Sequence, residues 1–233
     1  MTEAPPPHSQ TLSRGIRVLE VLAESTTPMS IAALAMALEV HRSIVYRILR
    51  TLEDHGLVSR DAYGMVSLAP RMAALARGVE RDLQSAALPD LTAAANDLVM
   101  TAFLVTLDHT ECVTLLSVEP RTGSATVGQR PGTRHSLSVG APGIAIQSLL
   151  TDEQLLNHGV AARRSESVSV RETGWATSHD EVIPGLSSIA VPLSVPGSPP
   201  SAIAVVFVAG ALSDTVVGAR LKAARDAIVA AAS

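Results

Sequence analysis

Three helical patterns and a strand–turn–strand pattern follow one another within the first 70 residues of the chain. Apolar residues recur at helical spacing in residues 12–23, 31–38 and 42–52. Two short runs, 57–60 and 65–68, then flank a turn that contains glycine, which is the pattern of a β-hairpin. This order predicts a winged helix-turn-helix domain. A helical bundle with an attached hairpin is the alternative.

The ends of these helices carry residues that helix ends prefer. Pro28 breaks the chain after the first helix, and Ser30 stands where a side chain can cap the second helix. The third helix is expected to end at His55-Gly56, because glycine readily adopts the left-handed conformation that closes a helix. The predicted boundaries therefore rest on more than periodicity.

The third helix has two different faces, since an ideal helix turns by about 100° per residue. Its apolar face is formed by Ile44, Val45, Ile48, Leu49 and Leu52. Its polar face is formed by Ser43, Tyr46, Arg47 and Arg50. Long hydrogen-bond donors on one face are what a helix needs to dock in a DNA major groove. A solvated amphipathic helix is the alternative, and the surrounding winged-helix pattern favours the DNA-binding interpretation.

The charges are divided unevenly along the chain, whose 233 residues are enough for two modest domains. Residues 1–77 contain eight arginines and seven acidic residues, whereas residues 78–233 contain ten basic and 15 acidic residues. Because the first part is only weakly basic, any affinity for DNA must depend on where its arginines lie. Arginine suits this purpose, because its guanidinium binds phosphate or guanine through two parallel hydrogen bonds.

Other kinds of site find little support in the sequence. Cys112 is the single cysteine, which excludes a disulfide framework and fits a reducing cytoplasm, and a buried thiol is favoured over a nucleophile. The seven histidines show no metal-ligand spacing. Asp180-Glu181 is expected to be solvated or to cap a helix, because neighbouring residues point apart. No catalytic, metal or cofactor site is predicted. Since no signal peptide or membrane-spanning run is visible, we expect a cytoplasmic protein.

Beyond residue 70 the pattern changes to helices and strands of a second domain. Leu75, Val79 and Leu83 recur at a spacing of four, which predicts a linker helix that packs either on its mate in a dimer or on its own C-terminal domain. A further helix is predicted to open at Leu88-Pro89-Asp90. Strands are predicted at 102–107, 111–118, 189–195 and 202–208, followed by a final helix from Ser213-Asp214 to about residue 231.

The predicted organisation has four parts, and the second domain is an α+β domain with a sheet and flanking helices. The parts are a disordered tail at 1–10, a winged helix-turn-helix domain at 11–69, a linker helix at 70–86 and a sensor-like domain at 87–233.

Three segments of the N-terminal part resemble the DNA-binding domain of the IclR family of bacterial regulators. They are residues 13–20 (SRGIRVLE), 42–53 (RSIVYRILRTLE) and 56–58 (GLV). The residues that the resemblance places at DNA are Arg42, Ser43, Tyr46 and Arg47, with Arg14 and Arg60 at its backbone. Within the third helix we expect Ser43, Tyr46 and Arg47 to face the groove and Arg50 to lie nearer the backbone.

One residue of this domain departs from the family pattern. The turn before the third helix commonly carries glycine, and this chain has Glu39. A left-handed conformation costs a non-glycine residue on the order of 1 kcal/mol. We therefore expect this turn to differ somewhat from that of the family.

The C-terminal part resembles the effector domain of the same family. Residues 171–192 (RETGWATSHDEVIPGLSSIAVP) match its signature, with Trp175 in place of a usual tyrosine, and residues 140–145 resemble the loop and helix start that help to enclose the effector. The resemblance covers residues 12–230 and implies a GAF-like fold. The predicted fold class is α+β, with an N-terminal winged helix-turn-helix, a linker helix and a C-terminal GAF-like mixed α/β sensor domain.

The resemblance also implies a pocket for a small organic acid, whose carboxylate would bind backbone N–H groups at a helix start. The effector-binding residues that it implies are Ala141, Pro142, Gly143, His179, Asp180, Ser188, Phe207 and Ala209. Phe207 and Ala209 stand where some members have serines, and Ile144 replaces a common lysine. These changes make the site more apolar and favour an aromatic or otherwise hydrophobic acid.

The segment between Leu155 and Arg171 is shorter than the helical connection of the family. One wall of the pocket is therefore expected to be missing or rebuilt, and a weak ligand response, or none, is one consequence.

The resemblance implies a transcriptional regulator that binds double-stranded operator DNA as a homodimer or tetramer, as a repressor or an activator, with no membrane partner. The effector would change operator affinity by favouring one arrangement of the protein. The alternative is a ligand-binding or interaction protein whose winged helix binds another protein.

Overall fold

A computed structural model describes residues 9–122, 128–208 and 212–232 of the chain. The chain divides into two compact units, Met1–Val79 and Glu80–Ser233. Most of the tail predicted at 1–10 lies outside the described residues, but Ser9 and Gln10 belong to the first helix and its cap. None of the helices in the described ranges is both long and apolar enough to cross a membrane.

The N-terminal unit is a winged helix-turn-helix, as the sequence predicts. Its elements are α1 (Gln10–Glu24), α2 (Ile31–Ala37), α3 (Arg42–Asp54), β1 (Val58–Arg60), β2 (Val66–Leu68) and α4 (Arg71–Ala76). The strands β1 and β2 pair in antiparallel fashion to form the wing. The three helices and the wing enclose one core, in which Val18, Leu34, Val45, Leu49 and Val66 are fully buried.

Local hydrogen bonds explain where these helices begin and end. The Ser30 side chain accepts a hydrogen bond from the Ala33 N–H at 3.1 Å, as predicted for the N-cap of α2. Gly56 follows α3 with a φ of 67°, and the turn before α3 contains Glu39 with a φ of 54°. Glu39 therefore adopts the left-handed conformation that a glycine would adopt more easily.

The predicted linker helix over 70–86 is wrong, because α4 ends at Ala76 and a new helix, α5 (Arg81–Leu98), begins after a break. Glu80 interrupts the helical path with a φ of 44°, and its carboxylate accepts a hydrogen bond from the Ser198 hydroxyl at 2.8 Å. The spacing of Leu75, Val79 and Leu83 predicted one continuous helix. Leu75 and Val79 are exposed, and Leu83 is the one of the three that is buried.

The helix start predicted at Leu88-Pro89-Asp90 is also wrong, because α5 continues through Pro89. A proline inside a helix removes one backbone hydrogen bond and costs about 3 kcal/mol. Here Leu83, Ala87 and Leu91 are buried along one side of the helix, before and after the proline. Packing of this stripe offsets the local cost.

The C-terminal unit is built on one antiparallel sheet with helices on both faces. Its strands are β3 (Thr101–Asp108), β4 (Glu111–Val118), β5 (Arg134–Ser136), β6 (Ala176–His179), β7 (Leu186–Leu193) and β8 (Ser201–Val208). Their order in the sheet is β5-β4-β3-β8-β7-β6. The remaining helices are α6 (Gly140–Gln147), α7 (Asp152–Asn157), α8 (Ser165–Thr173) and α9 (Asp214–Ala232).

The alternation of side chains along the strands separates two cores. Leu104 and Ile203 lie on the face that α5 and α9 cover. Val105 and Ala204 lie on the opposite face, with residues of α6, α7 and α8. The sequence predicts the four long strands but not the short edge strands β5 and β6, which have few residues for a pattern.

Val99 provides a stability test, because it follows α5 in the left-handed conformation with φ 55° and ψ 42°. Such a conformation is costly for a β-branched residue, by about 1–2 kcal/mol. The side chain is 52% exposed, so little packing is lost when it is removed. We expect Val99→Gly to raise the free energy of unfolding by about 1 kcal/mol, and Val99→Ala to raise it less. Urea unfolding followed by Trp175 fluorescence measures both, and an unchanged midpoint for Val99→Gly would contradict the expectation.

Candidate DNA interface and ligand cleft

The exposed face of α3 gathers the sequence-predicted residues of this helix on one surface. Those residues are Arg42, Ser43, Tyr46, Arg47 and Arg50, and all five are exposed. The opposite face is anchored in the core by Val45, Ile48 and Leu49. A helix held by its apolar side and free on its polar side can present long donors to a groove of DNA.

The start of α3 is fixed by a residue that the sequence analysis missed. The His41 Nδ1 accepts a hydrogen bond from the Ser43 N–H at 3.3 Å and lies 2.8 Å from the Ser43 hydroxyl. Histidine is not among the residues that favour the N-cap position, so the sequence carried little signal for this role. The contact fixes the Ser43 side chain at the end of the helix whose exposed N–H groups attract anions.

The wing is tied to α3 through Arg60. Its Nε donates a hydrogen bond to Glu53 Oε1 at 2.9 Å, and its guanidinium carbon lies 5.8 Å from the centre of the Tyr46 ring. A guanidinium has five N–H donors, so donors remain for a phosphate. Arg60 thus orients Tyr46 while its charge is partly balanced by Glu53.

Arg14 lies on α1, half-buried, at a groove between α1 and α3. Arg47 lines the same groove from α3. The structure therefore brings together two arginines that the sequence places 33 positions apart. Along with the exposed face of α3, they form the candidate DNA interface.

In the C-terminal unit, a cleft lies between the start of α6, the β6–β7 turn and the sheet, with a volume of about 40 Å³. Its lining residues are Phe103, Gln129, His135, Gly140, Pro142, Ser178, Glu181, Val182, Ile183, Leu186, Ser187, Ser188 and Val206. A volume of this size holds only a few waters, so a larger ligand requires the cleft to widen.

Four of the sequence-predicted effector residues lie at this cleft or beside it. Pro142 and Ser188 line it. The Ala141 N–H donates a hydrogen bond to the Ser178 hydroxyl at 2.8 Å. Gly143 follows Pro142 in α6, and a Cβ atom at this position would stand 2.6 Å from the Leu137 carbonyl oxygen.

Three other predicted effector residues, Phe207, His179 and Asp180, do not line the cleft. Phe207 packs with the core under α5 and α9, because strand alternation turns it away from the cleft-lining Val206. His179 is bonded to the Ser187 hydroxyl at 2.9 Å and lies 2.9 Å from Asp180, which closes the β6–β7 turn by accepting a hydrogen bond from a backbone N–H. Ala209 lies outside the described residues.

Glu181 is the charged group of the cleft, and it caps α6. Its Oε2 accepts a hydrogen bond from the Gly140 N–H at 2.9 Å. Arg164 donates to both carboxylate oxygens at 3.0 Å. These bonds from Arg164, more than the one from Gly140, hold the pKa of Glu181 below its usual value against the opposing effect of burial. The sequence suggested capping as one role for Asp180-Glu181, but it did not place Glu181 at the cleft.

The other titratable side chain that lines the cleft is His135. Burial lowers the pKa of His135, although its hydrogen bond to the Ser136 carbonyl partly opposes this effect, so the imidazole is neutral at pH 7. Burial, with the nearby Glu111 charge, raises the pKa of Cys112 to about 12. Cys112 is therefore a buried thiol within β4. Among the described residues, no group of three potential metal ligands comes together.

Comparison with known proteins relates the candidate DNA interface to a known domain family. The IclR helix-turn-helix domain matches residues 11–62, which contain α1 to β1. The probable transcriptional regulator SauR of Cupriavidus necator is 45% identical over 49 residues. Those residues are 21% of this chain and 19% of that protein, so the similar segment spans less than a fifth of the relative. Residues 11–62 thus form a helix-turn-helix domain of the IclR type.

Solved structures of IclR proteins share the fold over most of the chain. An IclR transcriptional regulator from Alicyclobacillus acidocaldarius superposes with a TM-score of 0.81 at 23% identity, over 97% of this chain and all of that one. An IclR homologue from Microbacterium hydrocarbonoxydans, complexed with 4-hydroxybenzoate, superposes with a TM-score of 0.78 at 21% identity, over 95% of this chain and 98% of the other.

The segment between Leu155 and Arg171 contains a helix that packs on the same core as α6. Residues 165–173 form α8, in which Val170 is buried in the same core as α6. Before it, Arg163 donates hydrogen bonds to the carbonyls of Gln147 and Leu150 at 2.5 and 2.6 Å. The segment also supplies Arg164, the partner of Glu181.

Proposed function

We propose that this chain is an IclR-family transcriptional regulator that binds operator DNA through α3 and the wing, with a small organic molecule in the cleft controlling that binding. The observation that carries the proposal is the exposed polar face of α3 within an IclR helix-turn-helix domain. Activity as a regulator, and not as an enzyme, is consistent with the named relatives.

For DNA binding, the proposal assigns Ser43, Tyr46 and Arg47 to the groove. Arg14, Arg42, Arg50 and Arg60 are assigned to the backbone or the groove edge. Every one of these side chains lies on α1, α3 or the wing of a single unit. We propose that a homodimer or tetramer presents two copies of this surface, since paired helix-turn-helix domains read two half-sites.

For ligand binding, the proposal rests on the cleft and on a relative that was solved with an aromatic acid. Phe103, Leu186 and Val206 give the cleft an apolar side suited to a hydrophobic body. Ser178 and Ser188 give it hydroxyl groups. A small organic acid with an aromatic body is the class that the sequence favours, and Pro142 and Ser188 are the predicted effector residues that line the cleft.

A selection experiment tests the proposal. The wild-type protein is used to select duplexes from a random library, and its affinity for selected and shuffled duplexes is measured by fluorescence anisotropy at several salt concentrations. We expect the selected sequence to bind at least 1,000-fold more tightly than the shuffled one, as specific DNA-binding proteins do. Equal, salt-dependent binding of both, or none, would favour a winged helix that binds another protein.

A further inference from the structure

The start of α6 already carries a carboxylate of the chain itself. The first N–H groups of a helix are not used within the helix, and they attract anions. Glu181 accepts the hydrogen bond of the Gly140 N–H, and Ser178 accepts that of the next residue, Ala141. The place where the carboxylate of an acid ligand would bind is therefore filled by a side chain.

Glu181 is held at this place from a second side. Arg164 bonds both of its oxygens, in the paired geometry that guanidinium and carboxylate prefer. Arg164 is fixed in turn by Glu166, whose Oε1 lies 2.5 Å from its Nη2, and by the Ser138 carbonyl at 3.3 Å. Moving Glu181 away from α6 therefore means giving up its bond to Gly140 and straining or breaking its pair with Arg164.

The rest of the cleft does not offer an anion another positive group. Among the described residues that line it, none is a lysine or an arginine. His135 is the lining residue that could carry a positive charge. Burial lowers its pKa, however, so the imidazole is neutral at pH 7. The α6 N–H groups and Arg164 are thus the cleft's positive groups in the described structure, and Glu181 engages both of them.

We infer that Glu181 determines the ligand specificity of the cleft by acting as a built-in carboxylate, so that an acid binds only by displacing it. Neutral ligands do not compete with Glu181 and bind the wild-type chain better than acids of the same shape. Neutralising Glu181 reverses that preference. This inference rests on the proposed ligand-binding function and changes the favoured ligand from an acid to a neutral molecule of the same shape.

Acetate provides a test that does not depend on the shape of any larger ligand. In Glu181→Ala, the Gly140 N–H loses its side-chain partner, and Arg164 keeps Glu166 and the Ser138 carbonyl. We expect added sodium acetate to raise the melting temperature of this variant by about 3 °C more than equal sodium chloride does, because the anion binds the folded protein. We expect no such difference for wild type. Equal effects of the two salts on Glu181→Ala would overturn the inference.

Ligand preference is tested with 4-hydroxybenzoate and the neutral 4-hydroxybenzamide, titrated by calorimetry. Glu181→Gln retains an oxygen that can cap Gly140, so it keeps the fold while it loses the charge. We expect this variant to bind the acid at least tenfold more tightly than wild type does, with the affinity for the amide changing less than threefold.

Glu166→Gln is the matched control, because it neutralises the other carboxylate that pairs with Arg164 and leaves Glu181 on α6. We expect its affinities for both compounds to stay within threefold of wild type. The same acid-to-amide ratio in wild type and Glu181→Gln would overturn the inference even if both compounds bind. Acetate could stabilise Glu181→Ala while neither aromatic compound binds wild type or any variant. In that case the inference that Glu181 occupies a carboxylate site holds, and the proposed aromatic effector is wrong.

Discussion

Arg47→Ala is expected to weaken binding to the selected operator by about 10- to 100-fold while affecting shuffled DNA far less. One good bidentate contact to a base is worth roughly 1–3 kcal/mol of discrimination against the wrong base. Arg47 is exposed on α3 and lines the groove that α3 shares with α1, where Arg14 also lies. Because its backbone neighbours Ile48 and Leu49 anchor the helix, truncation of Arg47 leaves the fold intact.

Arg50→Ala is the matched control, since it removes an exposed arginine from the same helix one turn later. If Arg50 binds a phosphate, its loss weakens binding to all sequences alike and lowers the salt slope by about 1. Anisotropy titrations of both variants on operator and shuffled duplexes at several salt concentrations separate the two effects. A uniform loss for Arg47→Ala, with unchanged discrimination, would show that Arg47 contacts the backbone.

The N-terminal unit could be predicted closely because its signals are local. Helical spacing, Ser30 and Gly56 gave the order and the ends of its elements, and the exposed face of α3 followed from the angle between residues. What the sequence could not give are contacts across elements. The link from Arg60 to Glu53 and Tyr46 depends on how the wing folds back on α3.

The C-terminal unit was less predictable because its site is made by distant segments. The four long strands carry their own apolar patterns, but Gly140, Arg164 and Glu181 come together only in the folded sheet. Phe207 was predicted at the effector site but lies on the opposite face of the sheet from Val206, which lines the cleft. A shift of one residue along a strand exchanges the two faces of a sheet. At Pro89, the tendency of proline to interrupt a helix is outweighed by burial of the apolar side of α5.

Gly143→Ala is expected to destabilise the C-terminal unit by about 2–3 kcal/mol, as overpacking of a tight core does. A Cβ at this position would stand 2.6 Å from the Leu137 carbonyl oxygen and 3.1 Å from its carbon. These are backbone atoms that cannot rotate away. The same carbonyl accepts a hydrogen bond from the Gln147 side chain at 2.9 Å, and the Leu137 N–H donates to the Thr110 carbonyl at 3.1 Å, so the segment is held on both sides.

Gly128→Ala is the matched control in the same unit, because a Cβ there meets nothing within 4 Å. We expect its free energy of unfolding to change by less than about 0.5 kcal/mol, as at other open surface positions. Trp175 is the single tryptophan of the chain and lies in the C-terminal unit, so its fluorescence during urea unfolding reports on this unit. Equal midpoints for the two variants would mean that α6 can move away from Leu137, and Gly143 would then be explained by the ligand and not by close packing.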